Sequence, residues 1–207
     1  MLIFAYMIFL QSQQKLSLLD KILHADYWLM LRINKDWTSP WLDNVALFAR
    51  ESYLYVPFYL FLTLFMIINF GKKGAWWVVT ALAMAGVTDL LSSHVIKEIF
   101  DRPRPCRDPM MMHQIRFVAK YCGMNGSFIS SHASNHFAAA TFIFQTLKFI
   151  SRKWALVFLW AAIISYSQVY VGVHYPSDVL CGAIFGMLIG YAASRFFETQ
   201  IGLVNSH

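Results

Sequence analysis

The sequence predicts an all-α protein, an integral membrane helical bundle of five or six spans preceded by interfacial N-terminal helices. Of its 207 residues, 58% are hydrophobic, 17% aromatic and only 14% charged, whereas a soluble domain carries about 25% charged residues. The apolar residues fall into blocks close to the roughly 20 residues needed to cross a hydrocarbon core. Short connections rich in Lys and Arg separate several of those blocks.

Taken in order, residues 1–10 are apolar but lack a basic start and a small-residue cleavage site, so the segment is expected to be retained. Residues 18–50 mix apolar side chains with Lys21, Asp26, Arg32, Lys35 and Asp43, a pattern suited to helices lying in the interface. Part of that region is the alternative sixth span. The expected spans are residues 53–70, 75–96, 133–147, 154–173 and 179–194. The third and fifth are short, so their polar flanks should be buried in the bundle. The whole chain, 1–207, reads as one domain, with 1–52 interfacial or partly spanning and 53–198 forming the core bundle.

Lys and Arg near span ends favour the cytoplasmic side. Lys72, Lys73, Lys148, Arg152, Lys153 and Arg195 therefore mark one face, leaving loop 97–132 and turn 172–178 on the other. That places the expected site on the periplasmic or exterior side of a bacterial inner membrane. The outer loop is itself basic, with Lys97, Arg102, Arg104, Arg107, Arg116 and Lys120 against Glu98, Asp101 and Asp108. Such an exception to the orientation rule requires another task for those cations, and phosphate binding is one. A formal charge of +6 also fits nucleic acid or an anionic lipid surface. In so apolar a chain a lipid bilayer is the expected partner and nucleic acid is not; oligomeric state is not legible. Cys106 and Cys122 share the outer loop, where a disulfide persists; the alternative is two free thiols. Cys181 lies in an apolar block.

Three clusters carry chemistry, each at the end of a different span. In the first, Lys97 precedes Arg104 by seven positions, and Pro103 and Pro105 stiffen the chain around the guanidinium. An ammonium and a planar guanidinium suit phosphate oxygens. In the second, Ser130 and Ser131 stand where a helix cap belongs, so free amides of that turn would meet an anion while His132 reaches its leaving oxygen. In the third, Asp178 follows His174 by four, a spacing that lets a carboxylate orient one imidazole nitrogen and leave the other its lone pair. Pro176 suits the first turn of the last helix. Taken singly, each cluster has a plainer reading: a snorkelling Lys, a capping Ser pair, an Asp at a helix N-terminus.

Together the clusters resemble the phosphatidic acid phosphatase type 2 family of membrane lipid phosphatases, whose pattern is KxxxxxxRP, PSGH and SRxxxxxHxxxD. Lys97, Arg104 and Pro105 match the first element; Ser130 and His132 match the second, with Ile129 and Ser131 replacing Pro and Gly. Ser167, His174 and Asp178 match the third, but Gln168 stands where the family carries an Arg. The resemblance implies that His174 attacks phosphorus, that His132 protonates the leaving group and then activates water, and that Asp178 orients His174. Lys97, Arg104, Ser130, Ser131 and Gln168 would hold phosphate oxygens, with Arg102 or Arg107 supplying the charge that Gln168 lacks. No cofactor or metal is implied.

The substrate would be a lipid phosphate or diphosphate: undecaprenyl diphosphate, phosphatidylglycerol phosphate, phosphatidic acid or a phosphate of lipid A. Alternatives are a phosphotransferase using the same histidine, a non-catalytic lipid-binding relative, and a transporter with an Asp89/His94 proton relay. Asp89 and His94 otherwise line the floor of the site or make structural hydrogen bonds. A metal pair built on His132 and His136 is the weakest reading, because neighbouring cations would repel a divalent ion.

Overall fold

A computed structural model describes residues 17–203. Helix α1 (Leu18–Leu31) opens on a capping box: Ser17 Oγ accepts from the Asp20 amide, and Asp20 accepts from the Ser17 amide, both at 3.1 Å. It runs on through a π-helical turn, Arg32–Asp36. Helix α2 (Pro40–Ala49) is capped by Ser39 and starts on Pro40, whose missing N–H costs nothing at that position. Helix α3 (Val56–Leu90) is two arms, 56–70 and 72–90, joined at Gly71 with φ 54° and ψ −126°. The backbone there suits glycine because an L side chain at that positive φ is strained against its own backbone, although the space around it is open. The arms return on each other so tightly that a Cβ on Gly74 would collide with the Met66 carbonyl.

A π turn (Leu91–Val95) leads into α4 (Ile96–Phe100). The irregular segment 102–130 follows, closed by a disulfide between Cys106 and Cys122 with Cα atoms 6.2 Å apart. Helices α5 (Ser131–Leu147), α6 (Leu156–Tyr170) and α7 (Pro176–Gln200) complete the described fold. By length and composition, Tyr53–Phe100 and Pro176–Gln200 are long and apolar enough to cross a membrane. The first contains both arms of α3, so the expected spans 53–70 and 75–96 form a hairpin. The blocks at 133–147 and 154–173 become α5 and α6, of 17 and 15 residues, about 26 and 23 Å at 1.5 Å per residue. Helix α2, with 10 residues, is too short to add a sixth span, and α1 with its π turn (18–36) is not among the helices long and apolar enough to cross a membrane in the described residues. The apolar residues 1–10 lie outside the described residues.

Helix α5 is the centre of the bundle, and α7 approaches it backbone to backbone. Gly182, Gly186 and Gly190 recur every fourth residue, and a Cβ on any of them would run into the Ser130, Ser134 or Ala138 carbonyl in turn. Small residues at that spacing permit close helix contact where lipid provides no hydrophobic drive. Leu62, Met66, Trp77, Phe142, Leu147 and Phe197 fill the interior, and Trp77 donates to Thr146 Oγ1 at 2.8 Å. Ile68, Leu82 and Leu188 point outward, as side chains facing lipid would. Phe70 and Phe149 meet at 6.3 Å between ring centroids, so the turns carrying Lys72 and Lys148 share one end of the bundle. The segment 102–130, α1 and α2 gather at the other.

Candidate active site

The close α5–α7 contact fixes the site. It brings the start of α5 beside the start of α7, and the Ser130 amide donates to the Asp178 carbonyl at 3.0 Å. Between α6 and α7 the chain turns at Gly172 (φ 88°), and the Val173 and His174 amides both donate to the Gln168 carbonyl at 3.2 Å. His174 is thus held one turn before Asp178. Asp178 is fully buried and accepts from the Tyr175 amide at 2.9 Å, from Arg102 at 2.7 Å and from the Ser127 hydroxyl. Its carboxylate is therefore fixed by three groups, two from segment 102–130 and one from the turn before α7, before any substrate arrives.

His174 is almost fully buried, with Nδ1 3.6 Å from Asp178 Oδ2 and 3.4 Å from Ser127 Oγ. Its other nitrogen, Nε2, lies 3.2 Å from an Arg104 guanidinium nitrogen. Guanidinium has no acceptor, so Arg104 donates, Nε2 carries the lone pair, and the ring proton sits on Nδ1 facing Asp178. Burial pushes the His174 pKa down to about 4; the Asp178 hydrogen bond opposes this, while Arg104 adds to it. The imidazole is neutral and nucleophilic at neutral pH.

Nε2 opens onto a cavity of about 440 Å³ lined by Lys97, Arg104, Ser131, His132, Gln168 and His174, together with Arg50 and Asp89. Residues from the three sequence clusters therefore share one chamber. His132 makes no hydrogen bond with the described residues, leaving both ring nitrogens for substrate. Lys97 is buried by its surroundings and lines the same space.

Other expectations are corrected. Ser130 is buried off the cavity and caps α5 by accepting from the Ala133 amide at 3.4 Å, so of this pair it is Ser131 that lines the chamber. Gln168 lines the cavity, but its amide donates back to the Ile164 carbonyl at 3.5 Å and its Oε1 is buried without a partner. Arg102 does not supply the missing charge: it bridges Asp178 and Asp26, each at 2.7 Å, and lies 3.9 Å above the Tyr175 ring. Burial disfavours its charge, but the two carboxylates outweigh that and raise its pKa. Arg107 is also occupied, donating to the Cys122 carbonyl at 3.3 Å and contacting the Met124 sulfur. His94 is exposed on the π turn, off the cavity, whereas Asp89 accepts from Ser93 and Asn135 at its rim. No bond joins Asp89 to His94 among the described residues. His136 stacks edge-on against Trp160, its centroid 4.8 Å away.

Three contributors escape sequence reasoning. Ser127 bridges His174 and Asp178, but a lone Ser in a loop carries no signal. Asp26 reaches over from α1 to hold Arg102 and the Ser177 amide, the latter at 2.8 Å; only its burial marks it. Arg50, at the end of α2, enters the chamber from a region read as interfacial.

A neutral imidazole whose Nε2 lone pair meets Arg104, backed by a carboxylate in a chamber that also holds Lys97 at the end of an apolar bundle, defines a class: a membrane enzyme that handles phosphate esters. The comparisons place it more closely. Residues 74–201 match the PAP2 superfamily, and the chain belongs to that superfamily. A lipid A 4'-phosphatase of Porphyromonas gingivalis is 28% identical over 183 residues, covering 86% of this chain and 75% of that protein. Phosphatidylglycerophosphatase B of Bacillus subtilis is 31% identical over 171 residues, covering 77% of each. The crystal structure of a transmembrane PAP2 type phosphatidylglycerolphosphate phosphatase from Bacillus subtilis superposes with a TM-score of 0.66 over 95% of this chain and 94% of that one, at 24% identity.

Proposed function

We propose that the protein is a lipid phosphatase that releases phosphate from a membrane lipid through a phosphohistidine on His174 and needs no metal. The observation that carries this reading is the placement of the His174 ring: Nε2 lies 3.2 Å from Arg104 in a chamber also lined by Lys97, while Asp178 stands 3.6 Å behind Nδ1, an arrangement that leaves the lone pair on Nε2. An apolar groove supports a lipid substrate. It runs between the arms of α3 and α5, past Leu62, Trp77 and Phe142, and shares Tyr59, Asp89 and Asn135 with the chamber. A phosphate in the chamber thus has an apolar path for its lipid chain.

On phosphate entry, Arg104 transfers a donor from Nε2 to a phosphate oxygen and frees the lone pair. Burial, and then the neighbouring His174, His136, Arg50 and Lys97, hold the His132 pKa down to about 3 in the empty chamber, and the negative charge of a bound phosphate opposes this and brings the proton to the ring. Nε2 bonds to phosphorus, the bond from phosphorus to the lipid oxygen breaks, and the His132 protonated in this way gives its proton to that oxygen. Asp178 stabilises the positive charge that develops on the His174 ring. Neutral His132 then takes a proton from water, whose oxygen bonds to phosphorus as the P–N bond breaks. Phosphate leaves and His174 is neutral again. Lys97 and Arg104 match the charge that spreads over the transferring group.

The substrate belongs to the set of undecaprenyl diphosphate, phosphatidylglycerol phosphate, phosphatidic acid and lipid A, and the site faces the periplasm or exterior of a bacterial inner membrane. The test is phosphate release by detergent-purified protein from a panel of those lipids, with EDTA present. Release by wild type but not by His174→Ala is expected, and the best lipid names the substrate. Loss of release on adding EDTA contradicts metal independence; transfer of phosphate to a lipid acceptor in place of water makes the enzyme a phosphotransferase.

A further inference from the structure

The chamber contains one more cation than the phosphate-binding clusters account for. Arg50 follows α2, is half-buried, and lines the chamber beside Lys97, Arg104, His132 and His174. Its side chain makes no hydrogen bond or ion pair with the described residues. Every other arginine of the outer loop has a partner: Arg102 has Asp26 and Asp178, Arg104 has the Asn125 and Val173 carbonyls and His174, Arg107 has the Cys122 carbonyl, and Arg116 has Asp43. Burial disfavours its charge and outweighs Tyr121 and Glu51, which favour that charge from a distance, and a guanidinium withdrawn from water without a hydrogen-bonded anion is unfavourable. Burial works against the charge of Arg50 and of Arg104, and Arg50 adds to the effect on Arg104. Among the described residues, three cations and one carboxylate, Asp89, line this cavity, a balance that fits a multiply charged anion.

Gln168 sharpens the point. It lines the same chamber, is neutral, and spends its amide on the Ile164 carbonyl. A transferring phosphoryl group spreads its charge over three oxygens, and Lys97 and Arg104 are two charged donors. We propose that Arg50 is the third phosphate-binding cation of this chain, reaching the bound phosphate from α2 and supplying the charge that Gln168 lacks. A second, smaller cavity of about 230 Å³ places it further: Arg50, Tyr121 and His132 line both cavities. Arg50 thus holds the oxygen nearest His132, on the side from which the leaving group departs. The N-terminal region is then part of the active site as well as a cover for it.

This inference rests on the phosphatase reading, and its test keeps the two apart. Wild type, Arg50→Ala, Arg50→Lys and, as a control at the opposite end of the bundle, Arg152→Ala are assayed for kcat/KM on the best lipid of the panel. Inhibition by inorganic phosphate is measured on the same samples, and melting temperature checks folding. Removing one charged donor typically costs about 100-fold in rate. The expected result is a loss of about that size in Arg50→Ala, weaker inhibition by inorganic phosphate, a smaller loss in Arg50→Lys, and no change in Arg152→Ala. Arg50→Lys keeps the charge, so it decides the matter if the alanine variant fails to fold. Arg50 variants matching wild type in rate and phosphate inhibition overturn the role of Arg50 alone, as does a slowed variant with unchanged phosphate inhibition. A wild type that releases phosphate from no lipid overturns the phosphatase reading itself.

Discussion

The two ends of the bundle are built differently. At the end carrying the basic turns, helices meet through rings and aliphatic side chains: Phe70 against Phe149, Trp77 against Phe142. At the site end, irregular chain is held by directional bonds to buried groups. Asn34 alone donates to the Tyr170 and Arg116 carbonyls at 2.7 and 2.8 Å and accepts from the Arg116 amide at 2.6 Å. Arg116 pairs with Asp43, and the Tyr175 hydroxyl donates to Asp108 at 2.6 Å. Apolar packing sets helix positions within an ångström or so, which is enough to form a bundle. Catalysis needs tighter control, because a misplacement of about 1 Å can cost 100-fold in rate. Of the cations that conflicted with the orientation rule, Arg102, Arg107 and Arg116 are spent on this restraint.

The comparison makes ordered predictions. Arg104→Ala should have the largest effect, lowering kcat/KM by about 100- to 1,000-fold, since Arg104 is both an oxygen ligand and the donor on Nε2. Asp26→Asn touches no substrate. It weakens the hold on Arg102 and, through it, on Asp178, so kcat should fall about tenfold with KM held. Equal loss in KM and none in kcat would remove the positioning role of Asp26. Thr146→Val, at the other end, leaves Trp77 Nε1 without its acceptor. It should lower stability by about 1 kcal/mol and leave kcat/KM unchanged. A large fall in rate there would break the division between the two ends.

The pH behaviour of His174 sharpens the same contrast. Its folded pKa is near 4 because the ring is buried, against about 6.5 in an unfolded chain. As pH falls from about 6.5 through 4 the unfolded chain takes up the proton first, so this group's contribution to stability is present above 6.5 and lost on acidification. Histidine NMR titration should find His174 neutral at pH 6, and Arg104→Ala should raise its pKa. A His174 that titrates at 6.5 would contradict the neutral nucleophile.

Much of this was legible in the sequence because distance along the chain encodes it. Lys97, Arg104, His132, His174 and Asp178 stand at span ends, and any bundle collects alternate ends on one side. Pro176 marked the start of α7, and the Lys72–Lys73 turn marked the hairpin bend beside Gly71. What failed depended on where a side chain turns. Ser130 and Ser131 are neighbours, yet helix geometry sends one into a cap and the other into the chamber. Arg102, two residues from Arg104, points the other way to meet a partner 76 residues distant in α1. Arg50 and Asp26 were hidden because a charged residue in an amphipathic N-terminal helix has a ready explanation in the interface. The glycines of α7 were visible, but nothing in the sequence alone says which helix they face.

The most direct test of the central claim is to trap the intermediate. Wild type, His174→Ala and His132→Ala are mixed with a lipid carrying a radiolabelled phosphate, quenched in alkali, and the label is mapped by peptide analysis. The account predicts an alkali-stable, acid-labile label on His174 in wild type, more of it in His132→Ala if hydrolysis of the intermediate is slowed most, and none in His174→Ala. Rapid phosphate release by wild type with the label on another residue, or turnover that survives in His174→Ala, would contradict it.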